Sequence, residues 1–295
     1  METQDTAEQL IETLSSCSDS GRIYTLVDPA HSPQRRLTLE ELDACIQLAH
    51  PFISQPRDQR LYLQPFNRKA ESLRQVLSRE RESLPDKRTG HVAFCGWVLC
   101  RCTPHALNSH MEKQLTVSSP EGNTAMLRYY DPRVMERLEV ILEPKQMAHL
   151  LGPIEHWFYF DHRKRLRQIS RPTAEMHLGK LTLSSEQWSA IKRIGQVNLY
   201  WDKWDEFKMG SKPDITPAHI DALIEASQRI GLEDDKDRYF FVMHGLVNGQ
   251  RFHEHPLIQS ILERMTASES YVSLTDGLKS SDWEQVKEET GRWPQ

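Results

Sequence analysis

The sequence predicts an α/β fold, a mixed sheet with flanking helices, followed by a smaller all-helical lobe. Three observations carry this. Short apolar and aromatic runs alternate with helical periodicities as far as Arg171-Pro172. Beyond that dipeptide strand-like runs become rare and the helical period dominates. Helix-opening pairs and glycine or proline stops punctuate both parts at element spacing. The expected division is therefore an α/β domain over 1–172 and a helical lobe over 173–295, and 295 residues suit one large domain or two modest ones.

Taken in order, Ala7, Leu10, Ile11 and Leu14 give a short leading helix, broken by Ser15–Gly21. Ile23–Val27 is a strand ended by Asp28-Pro29. Leu37–Ala49 reads as a helix, with Cys45 and Ile46 disturbing its face. Leu61-Tyr62-Leu63 is a short strand. Arg68–Ser83 is a helix with Leu73, Val76 and Leu77 facing in. His91–Cys102 is the central strand, carrying Phe94, Trp97, Val98 and Leu99. Thr103-Pro104 opens a helix through Leu115, and Pro120-Glu121-Gly122-Asn123 is a hairpin-type turn. Ala125–Tyr130 returns as a strand.

From Leu127 onward the chain has almost no slack. Asp131 is an N-cap acceptor and Pro132 occupies the first helical position, with Val134, Leu138, Ile141 and Leu142 on one face. Glu143-Pro144 opens a second helix bearing Met147, Leu150 and Leu151, and Gly152-Pro153 ends it. Trp157–Phe160 is an aromatic strand, and Asp161-His162-Arg163-Lys164 is expected to turn out into solvent. In the second part, Ser184 and Gln187 sit close to capping-box spacing before a helix reaching Phe207. Met209–Pro213 is a linker. Thr216-Pro217 opens a helix with Ile220, Leu223, Ile224 and Ile230 on one face, closed by Gly231. Asp237–Val247 and Pro256–Met265 are further helices.

Composition excludes several classes. At 38% hydrophobic and 27% charged, the chain has the balance of a soluble globular protein. A formal net charge of −5 argues against a general nucleic-acid binder. No apolar run reaches the length of a membrane span, and the N-terminus lacks a signal peptide's basic and apolar regions, so the expected location is the cytoplasm. Five unevenly spaced cysteines do not read as a disulfide framework.

The string Tyr129-Tyr130-Asp131-Pro132-Arg133-Val134, the Leu-rich stretch Leu138–Leu151, and Gly152-Pro153-Ile154…Trp157 resemble the signature of a bacterial adaptor/chaperone family. That family serves the type VI secretion system and was long filed as a domain of unknown function. Ile23–Ala30 and Gly96-Trp97-Val98-Leu99 fit the same family upstream, and the resemblance covers roughly 20–170. Gly249, Phe252, Pro256 and Leu262 match a helical tail that members often carry. The resemblance implies a non-catalytic protein without a cofactor. Its partners would be a cognate toxic effector and the VgrG-type spike onto which that effector is loaded, with no nucleic acid and no membrane.

Candidate chemistry is sparse. His91, Cys95, Cys100, Cys102 and His105 have zinc-ligand types, yet side chains alternate along a strand, which separates Cys95 from Cys100 and Cys102. Buried thiols are the expectation. His253-Glu254-His255 lacks the two intervening residues that put both histidines on one helical face. No metal site is expected from either. Tyr130, Asp131, Pro132, Arg133, Gly152, Pro153 and Trp157 are expected to be structural. There is no nucleophile elbow, phosphate loop or dinucleotide fingerprint. The enzymatic alternative is a small hydrolase or transferase with Asp131, Arg133 and His162 in a cleft, and a structural component of the secretion machine is a third reading. Two stretches are candidate partner-binding surfaces. One is the basic run Arg163, Lys164, Arg165, Arg167 and Arg171, a solvated hairpin or a dock for an acidic partner. The other is Tyr200, Trp201, Trp204 and Phe207, either lobe core or an aromatic ridge.

Overall fold

A computed structural model describes residues 21–51, 55–66, 73–87, 89–173, 181–207, 215–266 and 269–291. The helix expected before residue 15, the linker over Met209–Pro213 and the start of the helix expected from Arg68 lie outside the described residues. The chain divides into two compact units, Met1–Lys192 and Arg193–Gln295.

Among the described residues the first unit is built on six strands: β1 (Arg22–Val27), β2 (Ile46–Gln47), β3 (Tyr62–Pro65), β4 (Phe94–Cys100), β7 (Ile154–Phe160) and β8 (Leu166–Ser170). They lie in the order β2-β3-β1-β4-β7-β8. A separate hairpin joins β5 (Thr116–Ser118) to β6 (Thr124–Met126). Every ladder of the large sheet is antiparallel, where a mixed sheet was expected. The long excursion between β4 and β7 returns the chain at the end where it left, so β7 runs against β4.

β4 is buried along its whole length, as its run of apolar residues requires. Its register against β1 shifts between Leu26 and Val27, where Gly96 and Phe94 are the successive partners. The extra residue, Cys95, makes a bulge. Gly96 takes φ +136° there, and the Trp157 indole covers it, Nε1 donating to the Cys95 carbonyl at 3.3 Å. On one face Phe94, Trp97, Phe158, Phe160 and Leu166 form a core with Ile23 and Val76, the latter from α2 (Leu73–Glu82). On the other, Trp157 meets Tyr129 with ring centroids 5.8 Å apart, and the Tyr129 hydroxyl donates to the Met111 carbonyl at 3.2 Å. Met111 belongs to α3 (Pro104–Gln114).

Two expected elements give way to tertiary packing. The helix expected over Leu37–Ala49 stops early: α1 (Leu39–Asp43) starts from a Thr38/Glu41 capping box, but Ile46 and Gln47 pair with Leu63 and Tyr62. Of the strand expected over Ala125–Tyr130, Ala125 and Met126 lie in β6, but Leu127–Tyr130 is a loop and turn, closed by an Asp131 N–H to Arg128 carbonyl bond of 2.9 Å. Tyr129 and Tyr130 are both buried in succession, a pattern that a pleated strand with one solvent face does not give.

Helices α4 (Pro132–Ile141) and α5 (Pro144–Leu151) follow as the sequence predicts. The Asp131 side chain accepts from the Arg133 N–H, and Gly152 takes φ +53° at the end of α5. A side chain on Gly152 would run into the His110 ring. α6 (Ser185–Glu206) opens with the Ser184/Gln187 capping box, Ser184 N–H to Gln187 Oε1 at 3.0 Å and Gln187 N–H to Ser184 Oγ at 3.2 Å.

The second unit is helical. Its core joins Val197, Tyr200, Trp201 and Trp204 of α6 to Ile220, Leu223 and Ile224 of α7 (Pro217–Ile230). Phe241, Val242 and Leu246 of α8 (Asp235–Asn248) and Ile258 and Ile261 of α9 (Pro256–Arg264) complete it. Gly231 closes α7 in the left-handed conformation, φ +84°. Two helices that periodicity does not reveal, α10 (Tyr271–Thr275) and α11 (Ser280–Gly291), finish the described chain. α10 is tied to α8 by buried Asp237, which accepts from the Tyr271 and Val272 N–H groups at 3.1 and 3.0 Å.

Candidate partner-binding site

The signature residues make structure first. Asp131, buried, accepts from the Arg133 N–H and Nε at 3.0 and 2.8 Å, and the Arg133 guanidinium also reaches the Gly90 carbonyl. One cap residue thus fixes both the start of α4 and the loop before β4. Its chain neighbours Tyr130 and Pro132 are buried, as is Trp157 against Tyr129. Gly152 makes the close approach to His110, and Pro153 follows it into β7.

The β7–β8 turn is more ordered than the sequence predicts. Asp161-His162-Arg163-Lys164 does not simply project into water. The Asp161 carboxylate is buried and accepts from the Arg163 and Arg165 N–H groups at 2.8 and 2.9 Å and from Arg165 Nε at 2.9 Å. Lys164, at φ +56°, donates to Asp86 at 2.8 Å and to the Leu84 carbonyl at 3.0 Å. His162 Nδ1 meets Glu136 of α4. An aspartate accepting two backbone N–H groups of its own turn fixes that turn locally, by the same chemistry as a helix cap. Of the basic run, Arg163 and Arg167 remain exposed, and Arg171 is drawn to the Gly152 carbonyl.

Glu136, Asp161 and His162 hold ligand-type atoms within 4.8 Å of one another. Their partners argue against a cation. Arg137 pairs with Glu136 at 3.0 Å and Arg165 with Asp161 at 2.8 Å, so the negative charge is already compensated. Burial pushes the Glu136 carboxyl up, but the His162 hydrogen bond and the His162 and Arg137 charges outweigh it and hold the group below its ordinary value. One turn on, burial raises Glu139, which accepts from the Tyr159 hydroxyl. Arg133 and His162 do line one small cleft, with Asp86, Lys87 and Lys164, while Asp131 stays behind as the helix cap.

The cysteine and histidine group of β4 does not converge among the described residues. Cys95 and Cys100 are buried, His105 is exposed, and His91 Nε2 lies 3.1 Å from the Asp28 carbonyl oxygen. Burial pushes the Cys95 thiol well up and the Cys100 thiol up to about 12. His253-Glu254-His255 forms a short 3-10 turn and the cap of α9. His255 Nδ1 accepts from the Leu257 N–H at 3.2 Å, so Nε2 is the donor to Glu289 at 2.8 Å.

The aromatic stretch of α6 is mostly core. Tyr200 is 4%, Trp201 6% and Trp204 2% exposed, whereas Phe207 is 45% exposed and stacks on Trp204 with centroids 6.1 Å apart. Phe207 is the one of the four that offers surface.

Residues 23–149 match a family model described as domain of unknown function (DUF4123). That family is associated with type VI secretion effector adaptors. The matched segment begins in β1 and ends in α5, so it takes in the Asp131–Arg133 cap and stops short of β7, β8 and the whole second unit. No curated protein and no solved structure matches the chain. No described helix is long and apolar enough to cross a membrane.

Proposed function

We propose that this chain is a type VI secretion adaptor that binds a cognate effector and promotes its loading onto a VgrG-type spike. The observation that carries the proposal is the DUF4123 match over 23–149. Action is by protein–protein binding, without catalysis or cofactor, in the cytoplasm. What supports a binding role is the state of the polar groups: Asp131, Arg133, Glu136, Asp161 and Arg165 are engaged in holding α4 and the β7–β8 turn. The surfaces offered to a partner are the exposed arginines Arg163 and Arg167 and, in the helical unit, Phe207. Exposed charges of one sign guide encounter, and an aromatic anchor supplies affinity.

The test is co-expression of a tagged chain with the product of the adjacent gene, followed by size-exclusion chromatography. Co-elution as a defined complex, with the partner insoluble when made alone, is expected. Two separate peaks with a partner soluble unaided overturn the chaperone role. The enzymatic alternative has one observation in its favour, the cleft shared by Arg133 and His162. It requires turnover that His162→Ala abolishes.

A further inference from the structure

Among the described residues β8 ends the sheet, and its outer side is an open backbone edge. Arg171 N–H donates to the Glu155 carbonyl and Asp161 N–H to the Arg165 carbonyl, both at 2.9 Å. Between them Arg167 pairs with Tyr159 and Ile169 with Trp157. Bonded pairs recur at every second residue of an antiparallel ladder. The N–H and C=O groups of Leu166, Gln168 and Ser170 therefore turn away from β7. Among the described residues no strand pairs with them. Ser170 and Arg167 are exposed and Gln168 is half-buried, so the edge can be reached, and no proline interrupts it.

An open edge is a template for another strand. We propose that the β8 edge docks an extended, acidic segment of a partner protein, which adds to the sheet as a further strand. Charge selects this occupant. Arg163, in the turn that leads into β8, and Arg167, on the strand and within electrostatic reach of Glu139, are exposed, whereas Arg165 and Arg171 are held by Asp161 and the Gly152 carbonyl. A second copy of the chain fits poorly. Antiparallel self-pairing centred on Gln168 sets two copies of the basic run side by side, each with Arg163 and Arg167 exposed, and like charges brought together destabilise a ladder. Backbone bonds from Leu166, Gln168 and Ser170 supply affinity, and acidic side chains on alternate positions supply selectivity. The same arginines keep the edge from pairing indiscriminately.

That the partner is a secretion effector or spike rests on the adaptor reading; the edge itself is tested without it. A short blocked peptide alternating Glu and Val is titrated into the full chain, beside a version with Lys in place of Glu. Amide hydrogen exchange is read at Leu166, Gln168 and Ser170. Protection at these three amides by the acidic peptide is expected, with binding about tenfold tighter than for the Lys version. Gln168→Pro removes an outward N–H and leaves the β7 ladder untouched, so it abolishes the protection. Retained protection at Arg167 and Ile169 reports that the variant is folded. Should it not fold, the Arg163→Glu, Arg167→Glu double variant decides, since it must reverse the preference toward the Lys peptide. No protection, equal protection by both peptides, or dimerisation through this edge overturns the proposal. In the co-expression experiment, a complex that survives both variants overturns the β8 dock and leaves the adaptor reading standing. Absence of any complex, with peptide protection intact, does the reverse.

Discussion

Replacing Gly96 by alanine should be among the most damaging single changes in the first unit. Two costs add. The residue sits at φ +136°, a conformation in which an L side chain is strained by about 1–2 kcal/mol. A Cβ built there lies 2.6 Å from Trp157 Nε1 and 3.0 Å from Trp157 Cδ1, and nearer still to the Phe158 carbonyl oxygen. The oxygen belongs to the neighbouring strand, so relief requires β7 to move away from β4 and the indole to give up its bond to Cys95. Overpacking of that kind costs about 1–3 kcal/mol. The sum is about 2–5 kcal/mol, a large part of the stability of a typical domain. Gly122→Ala is the control. It sits at φ +88° in the β5–β6 turn with nothing within 4 Å of a built Cβ, so only the strain of about 1 kcal/mol remains. Urea unfolding of both variants, followed by far-UV circular dichroism, measures the difference. A Gly96→Ala loss no greater than that of Gly122→Ala would refute the close approach of β4 to β7 and the bulge behind it.

Other outcomes follow from the second unit and the thiols. Burial lowers His244 to about 4, and its Nδ1 faces the Tyr271 hydroxyl at 2.8 Å. The unfolded chain takes up this proton first, so stability falls as pH drops from about 6.5 toward 4, by at most about 3 kcal/mol. His244→Phe should flatten the pH dependence of the urea midpoint over that window, and an unchanged slope counts against a buried neutral imidazole. Trp204→Ala should cost about 3–5 kcal/mol and Phe207→Ala under about 1 kcal/mol by the same unfolding assay, because the first is core and the second surface. Cys95 and Cys100 should resist a thiol reagent such as DTNB in the native chain and react on unfolding, since burial denies both access and the thiolate. Prompt native labelling of Cys95, read by peptide mapping, would mean that β4 is not where the sheet is sealed.

Helix punctuation was the most legible part of the sequence. Asp131-Pro132, Thr103-Pro104, Thr216-Pro217 and Gly231 all mark boundaries in the structure, because capping is a local interaction fixed by neighbours in sequence. Pairing and burial were not local. Ile46 left a helical pattern because Leu63 offered it a ladder. Tyr129 and Tyr130 look like strand residues but are apolar wedges under Trp157 and around Asp28 and Arg128. α10 escaped notice because its start is held by Asp237, far back in the chain, as well as by its own Ser270 cap. At the candidate site, the basic run was plain from composition. Which of its basic side chains stay exposed was not, since Asp161, Gly152 and Asp86 claim Arg165, Arg171 and Lys164 only in three dimensions.

The position of β1 has a kinetic consequence. The first described strand is an interior one, flanked by β3 and β4, and Arg22 pairs with Cys100. During synthesis it emerges long before either neighbour, and the sheet cannot close until β7 and β8 follow. Chains dominated by such distant pairings fold slowly. A nascent chain extends at about 5–20 residues per second, so apolar strands of this protein stand unpaired for several seconds on the ribosome. A protein proposed to shelter another would itself pass through an exposed, aggregation-prone stage, and its yield should respond to growth temperature more than its equilibrium stability suggests.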